Sequence, residues 1–181
     1  MFKIVLMGHR YTGVARGFHW IIALLLVCQI ALGMLADDAS PPRSWHYLDA
    51  HAQLGITLFG LMLLRVAWRL GHPPPPLPAR TPVWQALLAG SVHGAIYVLV
   101  LLLPITGYAL WMWDQRMVRL YGLFPLPLVD TSSVAEFWRS LAGYAHEWGF
   151  YVLCGLLTLH IGAAAVHELL LRDRLVRERM L

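Results

Sequence analysis

Apolar residues fall along this chain in four long runs separated by shorter polar stretches. Gly17–Ala36, Val83–Trp113 and Trp148–His167 contain no Asp, Glu, Lys or Arg, and Ala50–Leu70 contains only Arg65 and Arg69, both near one end. About 20 helical residues cross the roughly 30 Å hydrocarbon core of a bilayer, and two arginines at a helix end can snorkel to the interface. None of the runs alternates polar with apolar in the manner of a barrel strand, and lipid cannot satisfy an open sheet edge. The pattern predicts an all-α, integral membrane four-helix bundle, with transmembrane helices at about 17–36, 50–70, 83–113 and 144–170 of a single membrane domain covering 1–181. The first run exceeds the usual apolar region of a signal peptide, and the Ala-Asp-Asp after it is a poor cleavage site, so a retained span is expected. Pro73–Pro76 predicts a stiff polyproline link that stops the second helix. Ser132 or Ser133 ahead of Glu136 predicts a short capped interfacial helix in the link Asp114–Tyr144. Neither a second domain nor a repeat is read.

Composition agrees: 59% of the residues are hydrophobic, 13% are charged and the mean hydropathy is +0.60. The pI near 9.4 would suggest nucleic acid in a soluble protein. Here the basic residues flank apolar runs, so the charge reads as topology and no nucleic-acid partner is expected. Ten of the fourteen Lys and Arg residues lie in the N-terminal segment (Lys3, Arg10, Arg16), around the second link (Arg65, Arg69, Arg80) and in the C-terminal segment (Arg172, Arg174, Arg177, Arg179). The opposite side has Arg43, Arg116, Arg119 and Arg139 against seven acids, a net charge of −3. By the positive-inside rule both termini are cytoplasmic.

The histidines change the picture. Six of the nine, His19, His51, His93, His146, His160 and His167, fall within or at the ends of the four runs. A titratable ring in hydrocarbon must face the bundle interior and find a partner. At about 1.5 Å of rise per residue, His51 and His146 lie near the periplasmic surface, whereas His19, His93, His160 and His167 lie in the cytoplasmic half. His146 and His160 are 14 residues apart, a rise of about 21 Å that returns to nearly the same helix face. One helix thus presents two imidazoles to the interior at two depths. Two haems stacked across a membrane, each clamped by two histidines from facing helices, need this arrangement. The 14-residue step recurs from His51 to Arg65, His19 to Gly33 and His93 to Gly107. A haem needs small neighbours where a helix passes close and cations for its propionates; Gly33, Gly55, Gly107 and Arg65 are candidates. Cys28 and Cys154 are isolated, with no C-x-x-C-H, which excludes covalent c-type attachment and leaves noncovalent b haem.

These residues resemble a known family. Arg10-Tyr11, Phe18-His19-Trp20, His51 with Gly55 and Arg65-x-x-x-Arg69, His93-Gly94 with Tyr97 and Pro104, His146-Glu147, and Leu159-His160 followed by His167 are similar to the pattern of the bacterial cytochrome b561 family. The resemblance implies two b haems in the bacterial inner membrane, His19 and His160 holding the cytoplasmic one, His51 and His146 the periplasmic one. It implies electron transfer to or from a ubiquinone-like quinone, one type in the family oxidising superoxide and reducing ubiquinone, with a redox partner protein as a further expectation. The net negative outer side would repel superoxide unless its arginines cluster.

His93 and His167 remain open as alternative cytoplasmic ligands or as hydrogen-bond partners of a quinone or propionate. Arg65 and Arg69 read equally as membrane anchors, and His9, His46 and His72 as solvated. Two other functions fit less of the pattern. A haem-bearing anchor for a separate dehydrogenase or reductase would need a dependent partner subunit. A transition-metal transporter would want acids inside the spans, and all ten acids sit at or beyond the ends.

Overall fold

The computed structural model describes residues 10–78, 81–115, 117, 119–172 and 175–181. Lys3, His9, Arg80, Arg116 and Arg174, used in the charge and histidine readings, lie outside them. Four long helices account for most of the chain: α1 (Gly13–Asp38), α2 (Arg43–Gly71), α3 (Val83–Trp113) and α4 (Glu136–Ala165), the last running on as a π-helical turn over Val166–Leu171. A short α5 (Leu175–Met180) follows. The four are 26, 29, 31 and 36 residues long with the π turn counted in α4, and their most apolar segments have mean hydropathies of 1.5–2.2. At about 1.5 Å per residue even the shortest exceeds the hydrocarbon thickness.

α1, α2 and α4 extend beyond the runs that announced them, while α3 coincides with its run Val83–Trp113. Nothing breaks the helix at the polar ends, and charged residues there reach water. Thr12 caps α1, its Oγ1 accepting from the Ala15 N–H at 3.2 Å. The separate interfacial helix expected after Ser132 and Ser133 does not form; residues from Glu136 onward are the first turns of α4 itself. Ser132 turns back instead, its N–H donating to Asp130 Oδ1 at 2.9 Å. That bond holds the Asp130 carboxyl below its ordinary pKa.

Large side chains are exposed all round the helices, as a lipid-facing surface requires. The interior is narrow: Ile22, Leu26, Leu58, Met62, Val100 and Leu153 form the buried core. Backbone packing is closest within two antiparallel hairpins, α1 with α2 and α3 with α4, and α2 joins them through α3. Among the described residues, α4 makes few close backbone approaches to α1 or α2.

The two ends of the bundle are finished differently. The first described residues and the last ones lie together at one end, the termini end. There the last residues close over the first: the Tyr11 N–H donates to Arg179 O at 3.2 Å, Arg10 Nε to Glu178 O at 3.1 Å and Trp20 Nε1 to Met180 O at 3.1 Å. Arg179 is only 9% exposed. Its guanidinium donates to the carbonyls of Pro75 and Pro76 at 2.7 Å, acceptors that a polyproline segment leaves unused. At the opposite, loop end a small hairpin pairs β1 (Arg119–Leu120) with β2 (Phe124–Pro125). Tyr121 and Gly122 turn it with φ of 50° and 74°, the positive values that a tight hairpin turn requires. Gln53 on α2 accepts from the Tyr121 N–H at 2.7 Å, and Thr57 Oγ1 lies 2.6 Å from the Tyr121 hydroxyl, pinning the hairpin to α2.

Candidate functional site

Of the six histidines singled out in the spans, four form two facing pairs. At the loop end, His51 of α2 faces His146 of α4 with ring centres 6.2 Å apart and planes at 75°. At the termini end, His19 of α1 faces His160 of α4 at 6.3 Å and 80°. Each pair reaches across between the two hairpins, where backbone packing is loosest. An imidazole nitrogen bonds a first-row metal at about 2.0–2.1 Å, and the ring centre lies about 1.1 Å further, so two imidazoles on opposite sides of one ion have centres about 6.3 Å apart. Both pairs stand at about that separation, the spacing that one metal ion between two imidazoles would need.

The loop-end pair is held by backbone. His51 Nδ1 lies 3.0 Å from the Gln29 carbonyl of α1. His146 Nδ1 lies 3.0 Å from the Leu103 carbonyl of α3 and 3.1 Å from Thr106 Oγ1. A carbonyl only accepts, so both Nδ1 atoms carry the proton and both Nε2 atoms keep a lone pair, the tautomer of a metal ligand. Four residues beyond each carbonyl stands a glycine. A methyl on Gly33 would come within 3.1 Å of His51 Cε1, and one on Gly107 within 2.9 Å of His146 Cε1. Those two glycines give the rings their place against the neighbouring helix. Gly55, also read as a haem neighbour, is buried against the Gln29 carboxamide, 3.1 Å from where its Cβ would stand.

The termini-end pair is held by side chains. Arg65 of α2 directs Nη1 and Nη2 at His19 Nδ1, at 3.3 and 3.4 Å, while its Nε donates to the Tyr97 hydroxyl at 2.8 Å. The Arg65 and Arg69 guanidiniums lie 5.3 and 5.4 Å from the Tyr97 ring centre. Trp20 sets its edge to His19 at 5.1 Å. A third imidazole belongs here: His93 of α3 stands 4.9 Å from His160, edge to face, with its Nδ1 2.6 Å from the Ala89 carbonyl. Its ring is exposed at the bundle surface. His167 lies further along α4, in the π-helical turn. His46 is exposed at the loop end, and His72 is exposed but stacked on Trp68 at 3.9 Å.

The residues involved stand at equal offsets in the two hairpins. His19, Gln29 and Gly33 of α1 have the spacing of His93, Leu103 and Gly107 of α3, and His51 and Arg65 of α2 that of His146 and His160 of α4. The 14-residue step was visible in the sequence; the structure adds Gln29 and Leu103 at one common offset within it. The sequence reading missed Gln29, Thr106 and the part played by the Leu103 carbonyl. Gln29 had one visible signal, an amide in the middle of an otherwise apolar span, which needs a partner.

A family model described as prokaryotic cytochrome b561 matches residues 10–181. The chain is similar to cytochrome b561 homolog 2 of Escherichia coli (strain K12), 31% identical over 91% of this chain and 87% of the relative. It is also similar to cytochrome b561 homolog 1 of the same strain, 26% identical over 95% and 97%, and to a probable superoxide oxidase CybB of Yersinia pestis, 26% identical over 96% and 97%.

Proposed function

The chain belongs to the prokaryotic cytochrome b561 family, and on that footing we propose that it is a di-haem cytochrome that carries electrons through the bacterial inner membrane in exchange with a quinone. The family implies an electron-transport membrane protein with b-type haem. The number of haems, their ligands and the quinone are our reading. One observation carries it: two histidine pairs, each spaced for one metal ion, lie at two depths of a bundle long enough to cross a bilayer. His51 and His146 would hold one haem and His19 and His160 the other. The haem would supply one-electron chemistry between ferric and ferrous iron.

The chain's own part follows from the geometry. The Gln29 and Leu103 carbonyls orient the loop-end imidazoles. At the termini end, Arg65 and Arg69 concentrate positive charge beside His19, where a propionate would be neutralised. Reduction of a quinone takes up two protons, so its site needs donors and a group that titrates near neutrality. His93, exposed at the bundle surface and beside His160, brings a further imidazole to this end, and we place the quinone there with Arg65 and His167 as further candidates. By the positive-inside reading the termini end is cytoplasmic. Superoxide oxidation, suggested by one relative's name, would fit this reading only if the loop-end arginines cluster, because the net charge of −3 there repels the anion.

The experiment is a haem assay with a redox spectrum on protein purified in detergent. Two noncovalent low-spin haems per chain, both extracted by acid acetone, are expected. One haem, or haem retained on the polypeptide, overturns the reading.

A further inference from the structure

Gln29 meets both ring nitrogens of a loop-end histidine, His51. Its main-chain carbonyl takes the Nδ1–H of His51 at 3.0 Å, and its side-chain Nε2 lies 3.1 Å from His51 Nε2. With the proton on Nδ1, His51 Nε2 can only accept, so the carboxamide turns its N–H toward that lone pair. The other end of the carboxamide, Oε1, is then left buried without a partner. Gly55 makes the room for this, since a methyl there would stand 3.1 Å from Gln29 Nε2.

The lone pair held by the amide is the one a metal would need. From this geometry we infer that Gln29 is a positioning residue with two opposed effects on the loop-end site: its carbonyl orients His51 for haem, and its carboxamide competes with haem for the ligating nitrogen. The inference rests on the reading that His51 and His146 are axial ligands. The hairpin repeat supplies the comparison. Leu103, at the corresponding place in α3, gives the same carbonyl to His146 but has no polar side chain to offer Nε2. The His146 side of the site is therefore open to metal where the His51 side is occupied. The carboxamide gains one hydrogen bond in that position and leaves its oxygen unsatisfied, so it resists displacement only weakly. The carboxamide therefore weakens the loop-end site for haem, and an apolar side chain at 29 would strengthen it.

Gln29→Leu makes position 29 like Leu103 and leaves the main-chain carbonyl in place. The full-length chain, purified in detergent from haem-starved cells, is titrated with haemin and followed by its absorption spectrum. His51→Ala identifies which part of the titration belongs to the loop-end site. In Gln29→Leu that part should move to about fivefold lower haemin, the worth of one net hydrogen bond, with the termini-end part unmoved. A merely structural role for Gln29 predicts the opposite sign, because loss of a packed interhelical contact weakens the site. An unchanged or weaker loop-end site overturns the inference while leaving the ligand reading intact. If Gln29→Leu disturbs the termini-end part as well, Gln29→Ala is judged by the same shift, and no tightening there also overturns it. If His51→Ala removes no haem, the ligand reading fails and the inference with it.

Discussion

At the loop end, His51 and His146 each face a main-chain carbonyl of the neighbouring helix and lie against a glycine one turn beyond it. At the termini end, His19 has the Arg65 guanidinium at its Nδ1, and His160 has a third imidazole at its edge. The ring separations are nearly equal, 6.2 and 6.3 Å. A carbonyl fixes a tautomer and cannot move without its helix. A guanidinium is a mobile cation that only donates, so it leaves the Nδ1 of His19 as an acceptor. The loop end is thus built as a fixed ligand frame, and the termini end as a polar site with groups to spare for a reaction.

The largest effects should come from removing one ring of either pair. His51→Ala or His146→Ala should abolish the loop-end haem, and His19→Ala or His160→Ala the termini-end haem, each collapsing a two-haem redox spectrum to a one-haem spectrum. If His93→Ala loses a haem while His160→Ala does not, the termini-end pairing is His19 with His93.

Next in size are the glycines, which bear on the backbone frame alone. Gly107→Ala puts a methyl 2.9 Å from His146 Cε1. Overpacking of that kind costs about 1–3 kcal/mol. Haem binding at the loop end should weaken at least about fivefold by haemin titration, with the termini end unaffected. Gly94→Ala is the control, with nothing within 4 Å of the added methyl. Equal losses at both ends would show that the two sites are not held independently.

The third test addresses chemistry without ligation. His93→Phe should leave both haems in the reduced spectrum and slow their reoxidation by a soluble ubiquinone analogue roughly tenfold, the worth of one hydrogen bond to a charged or developing-charge group. His167→Phe is examined beside it. Unchanged reoxidation in both variants moves the quinone to the loop end.

The smallest effect is electrostatic. Replacing Arg65 by Met removes a cation beside His19 and should lower the midpoint potential of the termini-end haem by tens of millivolts, on the order of 1 kcal/mol. The loop-end potential should stay put in a spectroelectrochemical titration. A shift at both ends, or at neither, contradicts the placing of Arg65.

Much of this molecule could be read before folding, because bilayer thickness and helix rise turn residue numbers into depths. Uncharged runs of about 20 residues can be little else than spans, and the depth of each histidine follows by counting. The resemblance supplied the pairings that the structure then brought face to face. What could not be read depends on azimuth and on the backbone. The carbonyls of Gln29 and Leu103 have no sequence signature. Arg179 reads as one more positive-inside residue, although its guanidinium is buried on the carbonyls of Pro75 and Pro76. The Arg119–Pro125 hairpin has strands of two residues, too short for any alternation to show. The start of α4 looked like a separate element because Glu136, Arg139 and Glu147 interrupt its apolar character, but charge at a helix end is no helix breaker.

The spacing of His146 and His160 on one helix has an electrical consequence. Fourteen residues span about 21 Å, some two-thirds of the hydrocarbon thickness. One elementary charge moved across the whole membrane exchanges about 2.3 kcal/mol with each 100 mV of membrane potential, so an electron passing between the two pairs would exchange about 1.6 kcal/mol. In an energised cell the membrane voltage would then bias the redox balance between the two ends by roughly tenfold per 100 mV. A detergent-solubilised preparation has no such field, so potentials measured in it describe the protein at zero voltage only.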